Sequence, residues 1–344
     1  MKRYILPVIF TIAVIALYHF VNINFFTVDL ARRVKNALFM IRNVPTVDES
    51  VVLYNVGKLG PEELAQKIDS LLTAEPKKIG VNVCHWLRVP LAPLIQRYKS
   101  DSRVVFTSCS DSSPNEHSAI IDDENTVTHF KTDKPDYFEL SLTGFTGRGN
   151  STERINYGPR RDYPVHKGEL TDSYFWYDPD HLKGKIILIG YMGDYITEEM
   201  MYFQRCRITP LNPDYGYSNI TPDMYDIEIS ANILRTIHDN DFINEINPFV
   251  RILIILAFSL VNVVALTFIR TRWTAVNLLI AVVFFILLNG LGPMLMVLLF
   301  DKGYFLEMDE LFLVLVITTV FTVFMNTSQK KAKASVVDMP TDNE

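Results

Sequence analysis

The chain has 344 residues, 49% of them hydrophobic, with 39 acidic against 33 basic side chains and a net charge of −6. That length supports one sizeable domain plus further elements, and the acidic balance gives no reason to expect a nucleic-acid partner, which needs a basic surface. A mean hydropathy of +0.14 is high for a chain bathed in water throughout.

The apolar residues gather at the two ends. Lys2 and Arg3 precede residues 4–21, YILPVIFTIAVIALYHFV, close to the roughly 20 residues that cross a bilayer as a helix. The run is too long for a signal-peptide core and no A-x-A-like site follows it, so an uncleaved anchor is expected. Leu30, Val34, Leu38 and Ile41 then recur at helical spacing, with Arg32, Arg33 and Lys35 between them. This stripe suits a stalk helix, a helix packed on its own domain, or a homodimer contact.

Beyond Pro45 the pattern changes to strands and helices in turn. VVLYNV (51–56), KIGVNVC (78–84) and RVVFTSC (103–109) are apolar, β-branched runs of the kind found in buried strands. PEELAQKIDSLLTA (61–74) opens on Pro and two Glu, as helices do, and turns Leu64, Ile68, Leu71 and Leu72 inward. PLAPLIQRYK (90–99) gives a shorter helix. Strand, helix, strand, helix, strand predicts right-handed crossovers and a mostly parallel sheet flanked by helices.

In SAIIDDENTVTHF (118–130) two apolar runs flank an acidic turn, which reads as a hairpin. DYFELSLTGF (136–145) reads as a helix, 147–168 as an irregular loop with a short strand at RINYG, and KIILIG as a further strand. A long loop over 191–222 leads to a helix over 225–242, with Ile227, Ala231, Leu234 and Ile237 on one stripe. That helix runs through INEINP almost directly into the next apolar run.

Three apolar runs follow at 249–269, 275–300 and 311–325. With four spans, Lys2/Arg3, Arg270/Arg272 and Lys330/Lys331/Lys333 all fall on the cytoplasmic side. The acidic turn DKGYFLEMDE (301–310) then falls outside. The expected architecture is an α/β extracytoplasmic domain plus four transmembrane α-helices. Residues 1–26 hold the cytoplasmic N-terminus and first span, 27–248 the extracytoplasmic domain, 249–326 three spans and 327–344 a short disordered cytoplasmic tail. Apart from His19 and Arg251 near span ends, no acid or base stands within the spans, which argues against a proton-coupled transporter. NGLGP (289–293) is expected to kink the third span or to let a neighbouring helix approach closely.

The ordered landmarks resemble the CHASE2 family of extracytoplasmic sensor domains. DDENTVTHF (122–130) looks like the family's acidic turn, RINYGPRRDYP its I-N-Y/F-x-G strand, and HLKGKIILIG its L-x-G-K-I-V-L-I-G. ITP (208–210) is similar to a Thr-Pro element, and YDIEISANILRTIHDNDFI to P-G-V-E-I-H-A-N-I-L-x-T-L-L-x-G. Asp226 stands where the family usually has Gly, and Asn125 where Gly is common. The likeness spans about 29–325 and implies one N-terminal span, an α/β outer domain and three closely spaced spans in a bacterial inner membrane. Relatives usually continue into a histidine kinase, nucleotide cyclase or protein kinase. The resemblance here implies a sensory or signal-relay protein acting through a partner protein, or else a scaffolding subunit of an envelope assembly.

The chemistry-bearing motifs are sparse. In LKGKIILIGYMGDY (182–195) the glycines follow a strand, but neither G-x-G-x-x-G nor G-K-[ST] is present and DYITEEMM disfavours a phosphate. Residues after the strands of an open α/β sheet converge on a crevice. The ligand-binding candidates are therefore His85, Trp86, Arg88, Ser110, Asp111, Tyr191 and Asp194, with Gly57 and Lys58 beside them. The alternative is a buried strand whose glycines merely allow close packing. The histidines lack metal-ligand spacing and no G-x-S-x-G is present, so no catalytic residue, metal or cofactor is assigned and an enzyme is not expected. Cys84 and Cys109 suit two buried thiols or one disulfide, with Cys206 a free loop thiol. DSYFWYDP (172–179) suits a packed or membrane-proximal edge, or a partner surface.

Overall fold

The computed structural model describes residues 50–56, 59–83, 92–107, 118–121, 126–157, 165–166, 179–192, 206–212, 222–268, 274–306, 311 and 314–325, with isolated positions at 9, 13, 38, 39 and 328. Outside them lie most of the anchor and stalk segments, the C-terminal tail, the tip of the 118–130 turn, Cys84, Cys109 and nearly all of the 172–179 cluster. The chain forms two compact units, residues 39–244 and residues 1–38 with 245–344.

The 39–244 unit is built on five parallel strands. β1 (Val51–Asn55) is followed by helix α1 (Pro61–Leu72), β2 (Lys78–Asn82), α2 (Ala92–Tyr98) and β3 (Val104–Phe106). These match the three strands and two helices expected from the apolar runs. After them come β4 (His129–Lys131), α3 (Phe138–Thr143), β5 (Thr152–Arg154), β6 (Val165–His166), α4 (Pro179–Leu182) and β7 (Ile186–Gly190). The two-stranded ribbon β8 (Cys206–Arg207) and β9 (Met224–Tyr225) leads into α5 (Asp226–His238).

The strand order is β3-β2-β7-β1-β6. β7 lies between β1 and β2 and pairs in parallel with both along its whole length. Every residue of β7 is buried, as expected of a central strand covered on both faces.

Alternation along the strands sends side chains to two helical layers. Tyr54, Ile79, Val81, Val104, Phe106, Ile187 and Ile189 share one core with Leu64, Ile68 and Leu71 of α1 and Leu94 and Tyr98 of α2. Val51, Leu53, Val105, Ile186 and Leu188 share another with Phe138 and Leu142 of α3 and Ile227, Ala231 and Leu234 of α5.

α5 is the most enclosed helix of the unit. Ile227, Ala231 and Leu234 face the sheet as their spacing predicts, yet every residue from Asp226 to Thr236 is buried. Its polar side chains must therefore find partners inside the protein.

The 118–130 hairpin is present. Ile120 bridges Phe130 in antiparallel fashion, and Lys131 N–H donates to the Ala119 carbonyl at 2.8 Å. The strand expected at RINYG begins earlier, as β5, and its ladder with β4 stops at Arg154. The chain leaves the ladder there because Asn156 is drawn to the end of α5.

In the other unit, α6 (Pro248–Phe268) and α7 (Thr274–Asp301) are long and apolar enough to cross a membrane, and α8 (Val314–Met325) is a shorter apolar helix. Of the four expected spans, these two stand on described residues at full length. Leu253 and Val261 on α6, Leu279 and Ile286 on α7 and Phe324 on α8 are exposed. Ser259 and Asn262 on α6 are buried, as are Thr318 and Thr322 on α8. Polar inside and apolar outside reverses the arrangement of a helix bundle in water. Asn262 Nδ2 donates to Thr319 Oγ1 at 2.8 Å, linking α6 to α8.

α7 runs without interruption through NGLGP, although Pro293 cannot supply a backbone donor there. A Cβ placed on Gly290 would meet nothing within 4 Å among the described residues, so no described helix approaches closely at that position.

Gly190 is where α5 and the sheet come closest. A Cβ there would lie 2.8 Å from both Cβ and Cγ1 of Ile227. Gly190→Ala is expected to destabilise the protein by about 1–3 kcal/mol, the usual range for overpacking a filled core. Chemical denaturation of the full chain in detergent, monitored by circular dichroism, measures it.

Candidate functional site

The carboxyl edge of the sheet carries a row of polar residues. Asn55 ends β1 and Asn82 ends β2, and each is in register with Gly190 at the end of β7. Thr107 follows β3 directly. All three polar residues are buried. Alternation turns them toward the α3 and α5 layer, the side on which Ile227 covers Gly190.

This row also lies where the chain changes direction. After β1 and β2 the chain passes to α1 and α2 on one face; after β7 it passes to α5 on the other. The crevice outside the carboxyl ends of the strands, at such a switch point, is where open α/β sheets hold ligands. β7 is a switch point on both of its sides.

The hydrogen bonds of the row are partly filled. Asn55 Oδ1 accepts from Met192 N–H at 3.0 Å, holding the chain as it leaves β7. Thr107 N–H donates to the Val81 carbonyl at 3.0 Å, and its hydroxyl donates to Asn82 Oδ1 at 3.2 Å. Asn82 Nδ2 has no partner among the described residues. An amide donor left unused at this edge is suited to a carbonyl, hydroxyl or ether oxygen.

The electrostatics of this edge disfavour anions. The first turn of α5 holds Asp226 and Glu228, both buried. Asp226 Oδ1 accepts from Arg207 Nε at 3.0 Å, and Glu228 Oε2 accepts from Tyr225 N–H at 2.8 Å. Arg207 is thus already engaged. Burial raises the Tyr225 hydroxyl well above the ordinary phenol range, and the adjoining Cys206 sulfur, Tyr191 and Glu228 push it the same way. It stays protonated at any physiological pH.

Of the sequence-based ligand candidates, Tyr191 alone is described. It is half-buried, meets Tyr225 edge to face at 6.1 Å and packs against both cores, so it closes the interior at the edge. His85, Trp86, Arg88, Ser110, Asp111 and Asp194, together with Gly57 and Lys58, lie outside the described residues. Asn55, Asn82 and Thr107 were overlooked, because attention went to residues after the strands. Their signal was present: a polar side chain interrupts each of the three apolar runs near its end. Cys206 forms no disulfide, as expected. It stands in β8, opposite Tyr225, and not in a loop.

The landmark residues of the resemblance act within the fold. Asn156 N–H donates to Thr236 Oγ1 at 3.1 Å, Asn156 Nδ2 donates to Asp241 Oδ2 at 2.7 Å, and the Asn156 carbonyl accepts from Arg235 at 2.9 Å. Thr209, fully buried, donates through its N–H and hydroxyl to the two Asp223 oxygens at 2.8 and 2.6 Å. Asn232 Nδ2 donates to the Glu228 carbonyl at 2.9 Å. Together these bonds seat α5. Among the described residues no group of His, Cys, Asp and Glu could hold a metal ion.

Comparison with protein-family models, curated proteins and solved structures finds no match to this chain.

Asn156→Ala removes a buried amide together with its two hydrogen bonds to Asp241. It is expected to cost about 1.5–3 kcal/mol, the usual range for hydrogen bonds to a charged group. Urea titration of the full chain measures it, and the loss should be equal with and without any ligand of the crevice.

Proposed function

We propose that this chain is a membrane-anchored sensory or signal-relay subunit of CHASE2 type, taking a small neutral ligand at the carboxyl edge of its sheet. The row Asn55–Gly190–Asn82–Thr107 is the observation that carries this reading. It is a buried, uncharged, hydrogen-bonding set at a double switch point, with one amide donor unused. Its neutral amides and hydroxyl, beside the acidic first turn of α5, suit a ligand rich in hydroxyl, carbonyl or ether groups.

The α/β unit is assigned to the outside of a bacterial inner membrane and the apolar helices to the bilayer. The exposed apolar faces of α6 and α7 and the placement of Arg270 and Arg272 support this. α5 covers Gly190 at the crevice and continues in sequence, through residues 239–247, into α6. A ligand that binds one seating of α5 more tightly than another shifts that balance. We assign the chemical output to a partner protein.

A second reading, a scaffolding subunit of an envelope assembly, draws on the landmark residues. Asn156, Thr209 and Asn232 are engaged with neighbours in the same chain. A fold maintained for its outer surface would show the same economy.

The test uses full-length protein in nanodiscs, screened by thermal shift against neutral sugars, polyols and amides. A saturable rise in Tm for the native protein that is lost in Asn82→Leu supports the sensor. A stoichiometric envelope protein that co-purifies equally with both forms, with no compound shifting either, favours the scaffold. Protease added to sealed spheroplasts should digest residues 60–240; protection of that unit would overturn the assigned orientation.

A further inference from the structure

Glu139 stands in the first turn of α3 with no exposed surface. Its carboxyl meets three groups. Ala119 N–H donates to Oε2 at 2.7 Å, and the Ser118 and Ser230 hydroxyls lie 2.8 and 2.6 Å from Oε1. The partners come from two segments beyond its own helix, the arm that pairs with β4 and the middle of α5. All three are neutral.

No charged side chain faces it among the described residues. On α5, Asp226 is engaged by Arg207, Glu228 by Tyr225 N–H, Arg235 by the Asn156 carbonyl and His238 by Asp239. On α3, Glu139 is the only charged residue, and nearby Asp133 accepts from the Tyr137 hydroxyl. The strands behind α3 turn Gly80 and Val105 toward it, while Lys78 reaches the Ser102 carbonyl. On the β4 arm, His129 bonds Thr128 and Lys131 is exposed.

A charge so placed has lost its water and gained no counter-ion, which favours the neutral acid. The geometry accommodates that form without rearrangement. A serine hydroxyl can accept as well as donate, so the acid proton can be given to Ser230 Oγ while Oε2 still accepts from Ala119.

We propose that Glu139 is a proton-binding clasp. Neutral, it ties the Ser118–Ala119 arm to α5 across α3; deprotonated, it leaves an uncompensated charge between them and loosens α5. Burial raises this carboxyl above the ordinary range, against the smaller opposing pull of its three donors. The folded state therefore holds the proton more firmly than the unfolded chain does. The stability it contributes is complete below the ordinary carboxylate range, about 4.3, and is lost as pH rises through the folded value. The clasp is independent of the ligand crevice and stands whichever function the crevice serves.

The experiment is infrared titration of full-length protein in nanodiscs, with hydrogen exchange followed in parallel. The native protein should show a protonated-carboxyl band that persists above the ordinary carboxylate range and is missing in Glu139→Gln. Between the ordinary carboxylate value, about 4.3, and the band's midpoint, the opening constant of α5 amides, corrected for intrinsic exchange, should rise about tenfold per pH unit, as release of one proton on opening requires, and it should level off above the midpoint. In Glu139→Gln, whose amide is uncharged at every pH, that rise should vanish. If the Gln variant does not fold, Ser230→Ala decides. Loss of one donor to the anion should move the band's midpoint upward. Absence of the band in folded native protein, a Gln variant that keeps the native pH slope, or an unmoved midpoint in Ser230→Ala would overturn the proposal.

Discussion

The contact between Ile227 and Gly190 sets the terms for the rest of the α/β unit. The helix lies so close to the central strand that no Cβ fits between them. At that distance α5 is enclosed all round, and its polar residues Ser230, Asn232, Arg235 and Thr236 are carried into the interior with it. Each needs a partner. The fold supplies them from distant parts of the chain: Glu139 for Ser230, the Asn156 backbone for Arg235 and Thr236. Positions that resemble family landmarks are thus accounted for by one close helix–strand approach.

Much of the architecture was legible because it is local. β1, β2 and β7 are continuous apolar runs bounded by turns, and α1 begins on Pro61 with two glutamates behind it. These signals depend on a few consecutive residues. Strand order does not, and nothing in KIILIG says that it separates VVLYN from KIGVN. The early end of β5 is also non-local, since Asn156 is bonded to residues 80 or more positions away.

The candidate site was legible by region and missed by residue. An expected parallel sheet points to its carboxyl edge. Alternation then decides which strand-terminal side chains share a face, and that requires the register of Asn55 and Asn82 against Gly190. Without register, residues beyond the strands looked more promising than those within them. Tyr191, chosen on position, instead bridges two cores. Glu139 gave no sign at all in sequence: an acid in the first turn of a helix is ordinarily a solvated, favourable residue. Its burial follows only from α3 and α5 packing on the same face of the sheet.

The central position of β7 also governs the order of assembly. β1 and β2 are early neighbours in the chain but share no edge, so neither can complete its ladder until residue 190 has been made. Loop-closure entropy must be met before those long-range pairings return anything, which makes such sheets slow to form. A nascent chain would meanwhile display three apolar strands with open edges, the state most prone to aggregate.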